Sequence, residues 1–210
     1  MSVSEVVAQY YSAKLAAHGL TPRGVDWNSA ESQDLRFTKL LTACDGDREA
    51  SILDFGCGHG ALAARLRRDG YQGEYVGYDV SSDMVKAAAD AHRALARCQF
   101  TSDATALRPA SYTLASGIFN VRLDIPLPDW ERHIRETLDV IASMSRQAFA
   151  FNMLTRYADA DRMRSDLYYA DPSAWLAYCL DRFSRRVALL HDYGLYEFSV
   201  IVRTAGGPRG

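Results

Sequence analysis

The sequence predicts an α/β fold: a doubly wound, mostly parallel sheet that ends in a C-terminal antiparallel hairpin. Three observations carry this. Ser51-Ile52-Leu53-Asp54-Phe55-Gly56-Cys57-Gly58-His59-Gly60 is an apolar strand that ends in a carboxylate and runs into a loop with glycine at every second position. A second such run, Glu74 to Asp79, ends in another carboxylate about 20 residues beyond the loop, where doubly wound folds place the acid that grips a ribose. Near the C-terminus, the β-rich runs Arg186 to His191 and Tyr196 to Thr204 flank Asp192-Tyr193-Gly194, a hairpin-turn pattern.

Taken in order, an amphipathic helix from about Ser4 to Ala17 stops at Gly19, and Thr21-Pro22-Arg23-Gly24 breaks the pattern. A second helix spans about Glu31 to Ala43. Residues 1–45 are thus expected to form a helical lid segment on a catalytic unit of residues 46–210, within one domain overall. After the first strand and its glycine loop, Ala61 to Arg68 has helical periodicity and closes at Gly70. The strand ending at Asp79 leads into Val80-Ser81-Ser82-Asp83-Met84-Val85, a helix start with Ser and Asp near its N-terminus. A third strand, Cys98 to Thr101, leads to Ser102-Asp103-Ala104. Then follow a strand at Tyr112 to Ser116, a helix at about Trp130 to Ser143 and a strand at Ala148 to Asn152. A connecting stretch, Met153 to Asp171, and a helix from Pro172 to Phe183 precede the hairpin, and Gly206 to Gly210 reads as a loose tail.

The chain has 210 residues, 48% of them hydrophobic, and a formal net charge of −2, enough to bury a real core. Lys and Arg form no long run, so no strong nucleic-acid footprint is expected; the local cluster Arg65, Arg67 and Arg68 reads as a solvated helix face. No apolar stretch approaches the roughly 18 residues of a membrane span, and Met1 to Tyr11 lacks a signal-peptide layout, so a cytoplasmic protein is expected. Cys44, Cys57, Cys98 and Cys179 are widely spaced and imply neither a zinc site nor a disulfide framework.

The glycine loop lies where a strand turns into a helix and backbone N–H groups converge, a nucleotide-cofactor signature for which a plain βα turn is the bland alternative. Gly56-Cys57-Gly58-His59-Gly60 lacks the Gly-x-Gly-x-x-Gly spacing of a pyrophosphate site, which argues against a dinucleotide fold. The three strand ends together resemble the class I S-adenosylmethionine (SAM) dependent methyltransferase family, over about Ser51 to Thr204. The resemblance implies a Rossmann-like fold with SAM as cofactor or substrate. It assigns Asp54, Gly56, Gly58 and His59 to the methionine and sulfonium side, and Asp79 to the ribose. Met84, Asp103 and Ala104 would frame the adenine, and Val80 and Ser116 complete the implied cofactor-binding set.

The acceptor side should follow the fourth and fifth strands, at Gly117-Ile118-Phe119-Asn120-Val121-Arg122 and Asn152-Met153-Leu154-Thr155-Arg156-Tyr157. The first lacks the Asn/Asp-Pro-Pro-aromatic pattern of the family's nucleic-acid amino methyltransferases, which disfavours base methylation. With only short connections after these strands, either a small ligand is enclosed or a macromolecule docks on an open face, and a small-molecule substrate is the expectation. Aromatic lid candidates are Tyr10, Tyr11, Trp27, Tyr157, Tyr168, Tyr169, Trp175 and Tyr178. The segments 24–28, 116–122 and 189–198 are also similar to a branch that includes azetidine-2-carboxylate synthases, SAM lyases that cyclise SAM and release 5′-methylthioadenosine. That narrower resemblance implies catalytic roles for Asn120, Tyr157 and Ser184: Tyr157 against the sulfonium, Asn120 and Ser184 orienting the amine. Cyclisation is the expectation drawn from it. The alternatives are methyl transfer to a small acidic acceptor, with Arg122 or Arg156 on its carboxylate, and a SAM-binding protein without turnover.

Overall fold

A computed structural model of the chain describes residues 2–25 and 29–204; Asp26, Trp27 and Asn28 and the expected tail lie outside the described residues. Among the described residues, eight strands form one sheet: β1 (Ile52–Phe55), β2 (Tyr75–Tyr78), β3 (Cys98–Thr101), β4 (Ala110–Ala115), β5 (Ser145–Thr155), β6 (Tyr169–Ala170), β7 (Val187–Leu190) and β8 (Glu197–Arg203). Their order is β3-β2-β1-β4-β5-β8-β7, with the short β6 pairing β5 in parallel beyond the end of β4. Strands β1 to β5 run parallel, and β8 is antiparallel to both β5 and β7. The doubly wound sheet and its terminal hairpin are as the sequence reads. Their physical basis is the apolar, β-branched and aromatic make-up of runs such as Ile52–Phe55 and Glu197–Arg203.

Among the described residues, six helices cover the sheet and its edge: α1 (Val3–His18), α2 (Ala30–Leu41), α3 (Ala61–Arg68), α4 (Ser82–Ala91), α5 (Leu127–Ser143) and α6 (Pro172–Arg182). Helices α2 and α3 pack Phe37, Leu40, Leu62 and Leu66 on one face against Ile52, Tyr75 and Leu114. Helix α5 packs Trp130, Ile134, Leu138 and Ile141 on the other, against Phe149 and Phe151. These four α5 residues recur at helical spacing and are wholly buried, which fixes how the helix is rotated.

Strand β5 and helix α1 depart from the sequence reading, and the crossover after β3 departs from the doubly wound pattern. Strand β5 continues to Thr155 because Met153 and Leu154 keep pairing with β8. No helix follows β3; a 3-10 turn, Ala104–Ala106, replaces it, so only a small cluster around Leu53, Tyr78, Leu107 and Ala110 covers that flank of β1 and β2. Helix α1, expected to be amphipathic, buries none of its residues and is held at its start by a capping box between Ser2 and Glu5. Among the described residues, no helix is long and apolar enough to cross a membrane.

Trp130 is completely buried and its Nε1–H donates to the Phe119 carbonyl at 3.3 Å. Trp130→Ala is therefore expected to lower unfolding free energy by about 3–5 kcal/mol in urea titrations, and a change under about 1 kcal/mol would refute this account of the core.

Candidate functional site

The carboxyl ends of β1, β2 and β4 open into a cavity of about 380 Å³, within the roughly 300–1,000 Å³ of small-molecule clefts. Its floor is Asp54, Phe55 and the loop from Gly56 to His59. One wall holds Tyr78, Asp79, Val80, Met84, Ala104 and Leu107, and the opposite wall runs from Ser116 to Phe119. Helix α1 presents Ser4, Val7 and Tyr11 across the opening, residues one turn apart on a single stripe, and α2 adds Gln33 and Phe37. The flank of α5 contributes His133, Thr137 and Val140, and the 3-10 turn after β3 contributes Ala104.

Local backbone geometry explains the glycines. Gly56, Gly58 and Gly60 have φ of +86°, +52° and +80°, a left-handed run that turns the strand into α3. A Cβ on Gly56 would lie 2.2 Å from Ile118 Cγ2, and one on Gly60 would lie 2.7 Å from His92 Cδ2. At these two positions the protein's own side chains, together with the backbone conformation, demand glycine. The bare backbone therefore also lets the loop after β4 and helix α4 close on the turn.

Two buried carboxylates organise the floor. Asp79 accepts from Gly58 N–H and Ser81 N–H, each at 2.9 Å, one on each oxygen, which leaves lone pairs on both for a further donor. Burial raises its pKa and these two bonds oppose the rise. Asp54 accepts from the Tyr75 hydroxyl at 2.7 Å. Burial pushes its pKa up to about 7, the Tyr75 bond opposes this, and the charge of Asp79 adds to it. Burial lowers the pKa of His59, favouring a neutral imidazole, and drives the Cys57 thiol well above its ordinary value, which rules it out as a ready nucleophile.

His59 Nε2 and Ser116 Oγ are buried without a hydrogen-bond partner, and both residues line the cavity. Buried polar atoms left unsatisfied cost stability, so their presence here fits a pocket that takes a polar ligand.

Of the residues read from the sequence as cofactor-binding, Asp54, Gly56, Gly58, His59, Asp79, Val80, Met84, Ala104 and Ser116 converge on this cavity. Asp103 does not line it; its Oδ1 accepts from Thr105 N–H at 2.9 Å and Thr105 Oγ1 at 2.6 Å, capping the 3-10 turn. The expected catalytic trio is dispersed. Asn120 is buried outside the cavity, with its Oδ1 accepting from Leu154 N–H at 3.2 Å, so that oxygen ties the loop after β4 to β5. Tyr157 is 65% exposed, its ring 6.2 Å from that of His191. Ser184 accepts from Arg186 N–H and precedes β7, which runs parallel to β5; it therefore sits at the amino edge of the sheet, opposite the cavity. The narrower resemblance implies these positions, but strand direction separates them.

Of the aromatic lid candidates among the described residues, Tyr11 alone lines the cavity. Tyr168, Tyr169, Trp175 and Tyr178 line a separate cleft with Arg122, Arg135 and Arg156 on the far side of α5. Sequence reasoning missed Tyr75, Gln33, Phe37 and His133. For His133 a signal existed: His133, Thr137, Val140 and Met144 form a second stripe at helical spacing beside the core stripe of α5.

A family profile described as a methyltransferase domain matches residues 52–143. The chain is 52% identical over 155 residues to "Putative methyltransferase Rv1506c" of Mycobacterium tuberculosis, an alignment spanning 74% of this chain and 93% of that protein. The chain belongs to the class I SAM-dependent methyltransferase family. Its fold is that of magnesium protoporphyrin IX methyltransferase from Synechocystis, solved with bound SAM (TM-score 0.65, 17% identity, 98% of each chain covered). It is equally that of the N-methyltransferase NodS from Bradyrhizobium japonicum, solved with S-adenosyl-L-homocysteine (SAH) (TM-score 0.67, 14% identity, 94% of this chain and 98% of that chain covered).

The raised pKa of Asp54 has a measurable sign. An unfolded Asp ionises near pH 3.9, whereas folded Asp54 holds its proton to about pH 7. Between those values the folded state binds more protons, so stability falls as pH rises through the window and levels off above it, with Asp79 acting in the same sense. Asp54→Asn is expected to lose less stability than the wild type between about pH 4 and pH 7 in urea titrations; parallel pH slopes would contradict the assignment.

Proposed function

We propose that this cavity binds SAM and that the protein transfers its methyl group to a small-molecule acceptor entering beneath α1. The observation that carries the reading is the convergence, on one cavity, of a left-handed glycine turn, two strand-end carboxylates and the buried, unpartnered His59 Nε2 and Ser116 Oγ. In this reading the spare lone pairs of Asp79 accept from ribose hydroxyls. Val80, Met84 and Ala104 give the adenine an apolar wall, and Asp54, Gly56 and Gly58 face the amino-acid end. Bound SAM supplies a methyl group on a positively charged sulfur. An ionised Asp54 would oppose a cationic ligand's charge, so binding and ionisation would favour each other. Within residues 1–45, helix α1 acts as the lid: it buries none of its residues, faces the cavity with Ser4, Val7 and Tyr11, and is pinned to the start of α4 by Ser12 Oγ and Ser81 Oγ at 2.9 Å, whereas α2 packs into the core.

Cyclisation of SAM would require Asn120, Tyr157 and Ser184 around one ligand, and their separation favours methyl transfer instead. An acidic acceptor held by Arg122 and Arg156 finds no support in the cavity either, since both line the separate cleft. The products decide between these chemistries. SAM carrying a deuterated methyl group is incubated with the protein, alone and with a small-metabolite extract, and analysed by mass spectrometry. SAH with a labelled small product is expected. Methylthioadenosine with azetidine-2-carboxylate from SAM alone would reinstate cyclisation, and SAM bound but unconsumed throughout would leave a binding protein. Asp79→Ala should weaken SAH binding about 10- to 100-fold by calorimetry, the loss of charge-assisted hydrogen bonds; unchanged affinity would remove Asp79 from the site.

A further inference from the structure

Behind the cavity lies a buried polar chain that the functional reading does not use. Arg36 on α2 donates from Nε and Nη2 to both oxygens of Glu197, at 2.5 to 2.8 Å. Glu197 Oε2 also accepts from Asn152 Nδ2 at 2.5 Å, and Asn152 Oδ1 accepts from Gly117 N–H at 2.8 Å. Arg36 is 5% exposed, Glu197 1% and Asn152 0%. Burying an ion pair is a costly way to stabilise a core, since apolar side chains of similar volume often serve as well or better.

Both ends of the chain carry cavity walls. On α2, Gln33 and Phe37 line the cavity, and Arg36 lies between them. After β4, Ser116, Gly117 and Ile118 line it, and Ile118 rests on Gly56, where a Cβ would come within 2.2 Å of its Cγ2. We propose that the Arg36–Glu197–Asn152 relay is a positioning device that fixes the spacing of α2 and the loop after β4 across the cofactor cavity, an inference that rests on the SAM reading above. Its logic lies in donor and acceptor identity. Glu197 offers only acceptors, so Asn152 must turn its amide nitrogen toward it. The Asn152 oxygen is thereby left for the Gly117 N–H, which holds the loop at its left-handed Gly117, φ +76°.

The identity rule supplies the test. Glu197→Gln puts an amide between Arg36 and Asn152: its oxygen is claimed by the guanidinium, its nitrogen faces Asn152, and Asn152 must flip its own nitrogen toward the Gly117 N–H. Asn152→Ala removes only the last link and leaves the Arg36–Glu197 pair. The double variant Asn152→Asp/Glu197→Gln exchanges carboxylate and amide: position 152 again accepts from both the side chain at 197 and the Gly117 N–H, and Arg36 keeps one acceptor oxygen at 197.

SAH affinity by calorimetry is measured for all four proteins, together with thermal midpoints and the Gly117 amide resonance by NMR. Each single variant is expected to bind SAH about tenfold more weakly with a shifted Gly117 amide, and the double variant to recover to within about threefold of wild type. A thermal midpoint that falls while SAH affinity and the Gly117 resonance stay unchanged means that the relay is only packing, and overturns the proposal. So does a folded double variant that fails to recover. If Glu197→Gln does not fold, Asn152→Ala decides. A wild-type protein that does not bind SAH would instead overturn the cofactor reading itself.

Discussion

Asp79 is buried at the end of β2, its two oxygens take backbone N–H groups, and one of these belongs to Gly58. That bond ties the end of β2 to the turn at the end of β1. The turn meets it through alternate left-handed glycines, Gly56, Gly58 and Gly60, which in turn allow Ile118 and His92 to close on the loop. The cavity's floor and two of its walls therefore follow from satisfying one buried carboxylate. Asp54, one strand over, solves the same problem with the Tyr75 hydroxyl, at the expense of a carboxyl that stays protonated to about pH 7.

One wall of the cavity has a different origin. A doubly wound sheet is covered when each crossover carries a helix, and here the crossover after β3 carries only a 3-10 turn. The exposed flank of β1 and β2 becomes a wall, and α5 meets it with a second stripe of side chains beside its core stripe. One helix thus builds the core with Trp130, Ile134 and Leu138 and the pocket with His133, Thr137 and Val140.

On the other side, the polar chain from Arg36 to Gly117 runs through a core that would hold with apolar side chains. Its members come from α2, β8 and β5, elements far apart in the chain that the sheet order brings together. Directional hydrogen bonds set distance and orientation more sharply than apolar packing does, a requirement where two walls must face one ligand.

The sequence by itself determined whatever depends on local periodicity and short spacing. The strand-turn-helix at Ile52 to Arg68, the acid at Asp79, the parallel core and the terminal hairpin are all legible as patterns of apolar residues, glycines and strand-end carboxylates. Most of the cavity floor was legible for the same reason, because its residues sit within a few positions of strand ends. Only the tertiary structure decided which side chains beyond those ends share the pocket. Tyr157, Ser184 and the aromatic residues near Tyr168 keep suggestive positions in the chain, yet strand direction and the placement of α5 send them to other edges. Tyr75, Gln33, Phe37 and the Arg36–Glu197–Asn152 relay carry no local signature, since each acquires its role from a partner that only sheet order and helix packing supply.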